Sequence, residues 1–301
     1  MKKTDGVLAI DIGGTKIALA AIDAAGTWLA QEKFIIAGLA GPAIVARLVA
    51  ACQRLQAQTH LTLTGIGVST IGVVDGDHLK LVPTIPGWDQ VNLRGALQAQ
   101  VADVPVWLEN DVKAATYAEV LNGALKGTTT GLYLNLGTGI ATGLSLGDRV
   151  LHGSHGAAGE IGYLQIDAAS EDGFATGHAP FEEVTGGQAI GRQLTQLLGH
   201  PYSAKNLWND PQPTAPVRRF KERLLDLWAF QLSNLCIAWD PAVVAVGGGM
   251  EAAYDQIAPV LTARLRQSVP FPPVLKPAFY QQNASLNGIA LLALHAGQAH
   301  A

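Results

Sequence analysis

Val7-Leu-Ala-Ile-Asp-Ile-Gly-Gly-Thr-Lys-Ile-Ala-Leu-Ala-Ala-Ile22 reads as strand, tight turn, strand. The pattern recurs. Leu8-Ala-Ile-Asp-Ile-Gly-Gly-Thr-Lys-Ile-Ala18 can be laid on Leu132-Tyr-Leu-Asn-Leu-Gly-Thr-Gly-Ile-Ala-Thr142, with Asp11 falling on Asn135, 124 residues further on. Each copy is an apolar strand, a polar residue, a glycine turn and a second apolar strand. Two such openings predict two duplicated domains.

Outward from the first hairpin, a third strand is expected around Gln31–Ile36. Pro42 suits a first helical position, and Ile44, Leu48, Val49, Cys52 and Leu55 continue a helical stripe to about Gln58. Leu63–Val68 reads as a buried strand running into a polar loop, Ser69-Thr-Ile-Gly-Val-Val-Asp75, and Pro83–Gly87 as a further loop. Helix Arg94–Val101 and strand Val104–Leu108 follow, then Glu109-Asn-Asp111 and helix Lys113–Leu121. Beyond the second hairpin come strand Val150–Leu151, loop His152–Glu160 and the irregular stretch Gln165–Phe181. Helices are expected at Gln188–Leu198, Val217–Trp239 and Glu251–Ser268, with strand Val243–Val246 before the last of these. A final apolar helix, Asn287–His295, should return to the first domain. Alternating strands and helices give an α/β class with largely buried sheets. The expected division is 1–112 joined by about 287–301, and 113–286.

The bulk properties narrow the function. The 301 residues suffice for two α/β domains with a cleft between them. Charged residues make up 15%, and the net charge is −4. The nearest basic run, Arg218, Arg219, Lys221 and Arg223, fits a solvated helix face, so no nucleic-acid partner is expected. Cys52 and Cys236 read as core residues of a reducing compartment, not as a disulfide framework. Asp11 and Lys16 interrupt any leader-like apolar stretch, and no run of about 18 apolar residues occurs. The expectation is a cytoplasmic protein without a membrane span.

Chemistry concentrates in a few motifs. In Asp11-Ile-Gly-Gly-Thr-Lys16, Gly13 and Gly14 let backbone N–H groups approach a phosphate, Thr15 adds a hydroxyl and Lys16 a charge. Asp11, at the strand end, is placed to hold Mg²⁺ through water. An ordinary hairpin with a glycine turn is the plainer alternative. Gly137-Thr138-Gly139 is the second such turn. A dinucleotide fingerprint would need glycine at position 142, where Thr142 stands, and the following run reads as strand. Asp111 reads either as a helix N-cap or as a carboxylate that takes the proton of an attacking hydroxyl. Asn110 beside it would orient a sugar. Glu160 and Glu182 are carboxylates suited to polyol hydroxyls, or else surface and capping residues. Gly247-Gly248-Gly249 follows a strand and admits a flat ring or phosphate, or makes a sharp turn. Trp88 reads as sugar platform or loop anchor, and His155 and His178 as lone histidines.

The order Asp11 turn, Asn110-Asp111, Gly137 turn, Glu160, Glu182, Gly247-Gly-Gly249 resembles the ROK family of sugar kinases and repressors over nearly the whole chain. That resemblance implies a two-domain actin/hexokinase-like fold, duplicated and ribonuclease-H-like, with an interdomain cleft across which the glycine turns face each other. It further implies ATP and Mg²⁺ as cofactors, a sugar substrate and a homodimer. By the same resemblance Asp11–Lys16 and Gly137–Gly139 clasp the phosphates, Gly247–Gly249 borders the adenosine, Asp111 is the base, and Asn110, Glu160 and Glu182 bond the sugar. Tyr163 stands where the family usually has histidine, and Gln165–Phe181 lacks the family's zinc-binding cysteines, so no zinc site is expected. Ser69 and Tyr163 join the expected sugar site. The Ser69–Val74 loop is similar to that of N-acetylmannosamine kinases, whereas Tyr163 without a zinc cluster is similar to some β-glucoside kinases.

The expected reaction is transfer of the ATP γ-phosphoryl group to a hexose or amino-sugar hydroxyl, O6, with N-acetylmannosamine, glucose or a β-glucoside as candidates. Two alternatives belong to other classes. A sugar-binding regulator would carry a helix-turn-helix ahead of the first domain, where ten residues precede Asp11. An NAD-dependent dehydrogenase is disfavoured by Thr142.

Overall fold

The computed structural model describes residues 4–82 and 84–299; Pro83, assigned above to a loop, lies outside them. In chain order the first strands are Thr4–Ile12 (β1), Lys16–Asp23 (β2) and Trp28–Ile35 (β3), followed by helix Gly41–Thr59 (α1) and strand Leu61–Thr70 (β4). Short strands Val73–Asp75 (β5) and His78–Lys80 (β6) precede helix Leu93–Gln100 (α2), strand Val106–Asn110 (β7) and helix Asp111–Asn122 (α3). Strands Thr130–Leu136 (β8), Ile140–Leu146 (β9) and Arg149–Val150 (β10) open the second half. Helices Glu182–Thr185 (α4), Gly187–Leu198 (α5), Ala204–Asn209 (α6) and Ala215–Trp239 (α7) come next, then strand Val243–Gly247 (β11). Helix Tyr254–Ser268 (α8), strand Val274–Pro277 (β12) and helix Ala284–Ala299 (α9) complete the chain.

Two compact units result. One holds the chain up to Ala118, His152–Ala158 and the segment from Asn283 onward; the other holds Glu119–Leu151 and Gly159–Gln282. Each is built on a five-stranded sheet, ordered β3-β2-β1-β4-β7 in the first and β10-β9-β8-β11-β12 in the second. Directions match strand for strand. Antiparallel hairpins β1–β2 and β8–β9 are followed by parallel pairings of β1 with β4 and of β8 with β11. The duplication is therefore architectural. The turns differ in length, because Ile12 pairs with Ile17 but Leu136 pairs with Ile140. An ungapped overlay of the two hairpins thus slips by one residue after the turn.

The long apolar run in β1 has a simple cause: both of its faces are covered. Leu8, Ile10 and Ile12 pack with Ile44, Leu48 and Cys52 of α1. Val7 and Ala9 pack with Leu286, Ile289 and Ala293 of α9. Side chains alternate along a strand, so Asp11 falls on the α9 face. In the second unit Leu132, Leu134 and Leu136 form a core with Ile190, Trp228, Leu232, Val244 and Ile257.

Three local expectations need correction. Ser69 and Thr70 are not loop residues, since β4 continues through them in register with β1 and β7. Val73–Asp75 is likewise a strand, paired with His78–Lys80. The helix expected from Glu251 begins as a short 3-10 turn, Glu251–Ala253, and becomes α-helical at Tyr254. No helix among the described residues is long and apolar enough to cross a membrane.

Candidate active site

In the first unit, register places the candidate residues at one sheet edge. Asp11 pairs with Ser69 and Ile12 with Thr70; Ser69 pairs in turn with Glu109 and Thr70 with Asn110. All three strands run parallel, so their C-terminal ends come together, the end at which open α/β sheets bind ligands. Adjacent strands lie about 4.8 Å apart, so Asp11 and Glu109 are separated by roughly 10 Å.

The glycine turn between β1 and β2 is tight, with the Gly13 N–H donating to Lys16 O at 3.0 Å. Among the described residues the N–H groups of Gly14 and Thr15 meet no acceptor. Thr15 and Lys16 are exposed. Asp11 behind them is half-buried, and its Oδ1 accepts from Ser69 Oγ at 2.9 Å and Ser285 Oγ at 2.7 Å. Burial raises its carboxyl above the ordinary aspartate range, against the opposing effect of those hydroxyls and of Lys16 and Lys33.

Asn110 and Asp111 divide their work in an unexpected way. The N-cap of α3 is Asn110, whose Oδ1 accepts from the N–H groups of Val112 and Lys113, both at 3.0 Å. Its Nδ2 donates to Gly72 O at 2.7 Å and to Asp111 Oδ1 at 3.1 Å. All four hydrogen-bonding positions of the amide are thereby used within the protein. Contact with a sugar would require one of these bonds to be given up. Asp111 is the first residue of the helix, where the aligned peptide dipoles favour negative charge, and its Oδ1 also accepts from Val112 N at 2.9 Å. Glu109 supports this corner. Its Oε1 takes the Asn110 N–H at 2.8 Å, and its Oε2 lies 2.6 Å from His152 Nε2.

The second unit repeats the turn. The Gly137 N–H donates to Gly139 O at 3.1 Å, and among the described residues the N–H groups of Thr138 and Gly139 meet no acceptor. The turn's carbonyls point the other way: Gly137 O and Thr138 O accept from Gly187 N and Gln188 N at 3.0 Å, so they satisfy the first turn of α5. Glu182 anchors the far side, with Oε2 accepting from Ile140 N at 2.9 Å. A Cβ on Gly139 would collide with that carboxylate. Its second oxygen takes no hydrogen bond from another described residue. Gly247 pairs in register with Asn135, which brings the Gly247–Gly249 turn beside the Gly137–Gly139 turn. At Gly248 φ is +87°, and a Cβ would meet Leu136 O at 2.6 Å. Gly249 is exposed, with nothing within 4 Å of an added Cβ. A groove of about 610 Å³ opens beside the start of α5, lined by Gly187, Gln188, Gly191, Arg192, Tyr202 and Asn206 among others.

Glu160 precedes, and Tyr163 ends, a 3-10 turn (Ile161–Tyr163) whose Gly162 packs against the stem of Glu182. Burial raises the Tyr163 phenol, and the Glu160 and Glu182 carboxylates raise it further. Its ring meets Phe174 edge to face, with centroids 5.8 Å apart.

Other expectations change. Ser69, expected to touch the sugar, is fully buried, and its hydroxyl donates to Asp11 Oδ1 at 2.9 Å, with Ile10 O a more distant 3.3 Å away. Trp88 is a loop anchor: it is fully buried and its Nε1 donates to Thr70 Oγ1 at 2.9 Å. His178 pairs with Glu183 at 3.0 Å. Sequence reasoning missed Ser285, Glu109 as a support, and the groove beside α5. Among the described residues no group of three or more His, Cys, Asp and Glu is placed to hold a metal ion. The Asp11 carboxylate, beside a turn whose Gly14 and Thr15 N–H groups meet no acceptor among the described residues, does fit Mg²⁺, which is held by one or two carboxylates and keeps several waters.

Two sheets of one topology, each opening on a glycine-turn hairpin, define an α/β protein of the actin/hexokinase-like class. The model of the ROK family matches residues 7–296, and the chain belongs to that family. It is 28% identical to the glucokinase of Streptomyces coelicolor over 271 residues, covering 83% of this chain and 84% of that protein. It is 28% identical to the N-acetylmannosamine kinase of Yersinia pestis over 291 residues, covering 95% and 97%. The crystal structure of a ROK hexokinase from Thermus thermophilus superposes with a TM-score of 0.79 at 28% identity, covering 97% of this chain and 99% of that one.

Proposed function

We propose that the protein is an ATP-dependent sugar kinase that phosphorylates a hydroxyl, O6, of a hexose or amino sugar. The observation that carries this reading is the repeated turn, in which Gly14 and Thr15, and again Thr138 and Gly139, present successive N–H groups that no described residue accepts. Paired backbone donors of this kind suit phosphate oxygens. The names of the relatives support it, and they make N-acetylmannosamine and glucose the first candidates; a β-glucoside is a further candidate through Tyr163 and the cysteine-free stretch after it.

In this reading the two turns hold the ATP phosphates, Lys16 adds charge, the groove beside α5 receives the adenine, and Gly247–Gly249 border the adenosine. Asp11 would hold Mg²⁺ through water. When bound, that ion neutralises charge on the phosphates. Asp111 accepts the proton of the sugar hydroxyl as its oxygen bonds to the γ-phosphorus and the bond to the ADP oxygen breaks. Phosphoryl transfer has a loose transition state, so positioning and charge carry most of the catalysis and the proton moves late. Asn110 serves chiefly by holding Asp111, while Glu160, Tyr163 and the second oxygen of Glu182 address sugar hydroxyls.

The test is a coupled ADP assay across glucose, N-acetylmannosamine, N-acetylglucosamine, fructose, allose and β-glucosides. ADP release stimulated by one of these sugars is the expected result. ATP turnover that no sugar stimulates would remove the proposal.

A further inference from the structure

Asp11 has a partner that lies 274 positions away in the chain. Asp11 shares the α9 face of the first sheet with Val7 and Ala9. Its register partner on the parallel strand β4 is Ser69. Gly67, on the same face of β4, lies against Ile289 and Ala293 of α9. The first turn of α9 then delivers Ser285, whose Oγ is 2.7 Å from Asp11 Oδ1 and 2.7 Å from Ser69 Oγ. Ser69 Oγ is in turn 2.9 Å from the same Oδ1. Two hydroxyls converging on one carboxylate oxygen fix the plane of the carboxylate, and with it the direction of the other oxygen.

The docking of α9 has its own basis. Leu286, Ile289, Ala290 and Ala293 are buried against β1 and β2, and Gly288 packs so closely on Ala114 that no Cβ would fit. The hydroxyl of Ser285 is not needed to seat the helix, so its contact with Asp11 calls for another explanation.

We infer that Ser285 is a positioning residue for the metal–nucleotide part of the site: from the C-terminal helix it holds the Asp11 carboxylate by one oxygen, so that the second would be left to hold Mg²⁺ through water. The inference rests on the role proposed for Asp11 above. It makes the start of α9 part of the nucleotide site.

Full-length wild type, Ser285→Ala and Ser285→Thr are compared by two readouts. One is thermal stabilisation by ADP with and without Mg²⁺; the other is the Mg²⁺ concentration giving half-maximal sugar-dependent ADP release. Ser285→Ala should keep its ligand-free Tm within about 2 °C. It should lose most of the stabilisation that Mg²⁺ adds to ADP, and its Mg²⁺ midpoint should rise about tenfold, the scale of a hydrogen bond to a charged group. Ser285→Thr, which keeps the hydroxyl, should restore both. Wild-type Mg²⁺ dependence in Ser285→Ala, or a loss that threonine does not restore, overturns the inference. If the alanine variant does not fold, Ser285→Cys, of similar shape but a weak donor, is read by the same two measurements. A wild-type protein with neither Mg·ADP stabilisation nor sugar-dependent ADP release fails the kinase reading itself. A wild-type protein with both, matched by Ser285→Ala, fails this inference alone.

Discussion

Asn110 Nδ2 lies 3.1 Å from Asp111 Oδ1, while the oxygen of the same amide caps the helix that Asp111 begins. The helix cap thus falls to Asn110, and Asp111 is left for the proposed role of proton acceptor. Asp111→Asn should leave the Tm near wild type and retain nucleotide binding, yet lower kcat by ~10²–10⁴. Asn110→Ala should destabilise by about 1–2 kcal/mol through loss of the cap. Denaturant melts and steady-state kinetics on both variants separate the two effects. A fully active Asp111→Asn would show that the carboxylate is not the base.

The glycines of the turns divide by what surrounds them. Gly13 and Gly249 have no positive φ, and a Cβ would meet Lys16 O at an ordinary 3.4 Å in the first and open space in the second. Gly13→Ala and Gly249→Ala should therefore change stability by no more than about 0.5 kcal/mol, while raising the KM for ATP. Gly248→Ala combines left-handed backbone with a collision and should cost about 1–3 kcal/mol or more. Thermal melts beside ATP titrations give the comparison.

Glu182 holds the Ile140 N–H with one oxygen and is proposed to meet the sugar with the other. Glu182→Gln keeps an acceptor for Ile140 but loses the charge. Its Tm should stay near wild type, with the sugar KM raised about tenfold and the ATP KM little altered. Glu182→Ala should lower Tm as well, because the Ile140 N–H then loses its partner.

Glu251 is buried, its Oε2 has no partner among the described residues, and burial, followed by the Glu119 carboxylate, pushes its carboxyl from 4.5 up to about 7. Between those values the folded protein keeps a proton that the unfolded chain has released. Stability should therefore fall as pH rises through that window, by at most about 3 kcal/mol. Glu251→Gln should flatten this dependence and be the more stable protein at pH 8. Urea melts at pH 5 and pH 8 check both points, and an equal slope in the two proteins would refute the assignment.

Both glycine hairpins and their duplication were legible in the sequence, because a strand buried on both faces must be apolar throughout, and a polar interruption at the same place twice stands out. The helical stripe of α1 and the strand–helix corner at Asp111 were legible for the same local reason. Ser69 was misplaced into a loop because its small polar side chain resembles turn chemistry, whereas its pairing with Asp11 is a property of the sheet. The capping role was given to Asp111 instead of Asn110 because both residue types cap helices and are adjacent.

Sequence alone determined the periodic elements, the turns and the family pattern, since these depend on residues within a few positions of one another. Tertiary structure decided that Ser285 meets Asp11, that Asn110 spends its amide on α3, and that Glu182 braces the second turn. Those contacts join residues brought together by strand register and helix docking, whose energies come from the whole core and leave no mark in local spacing.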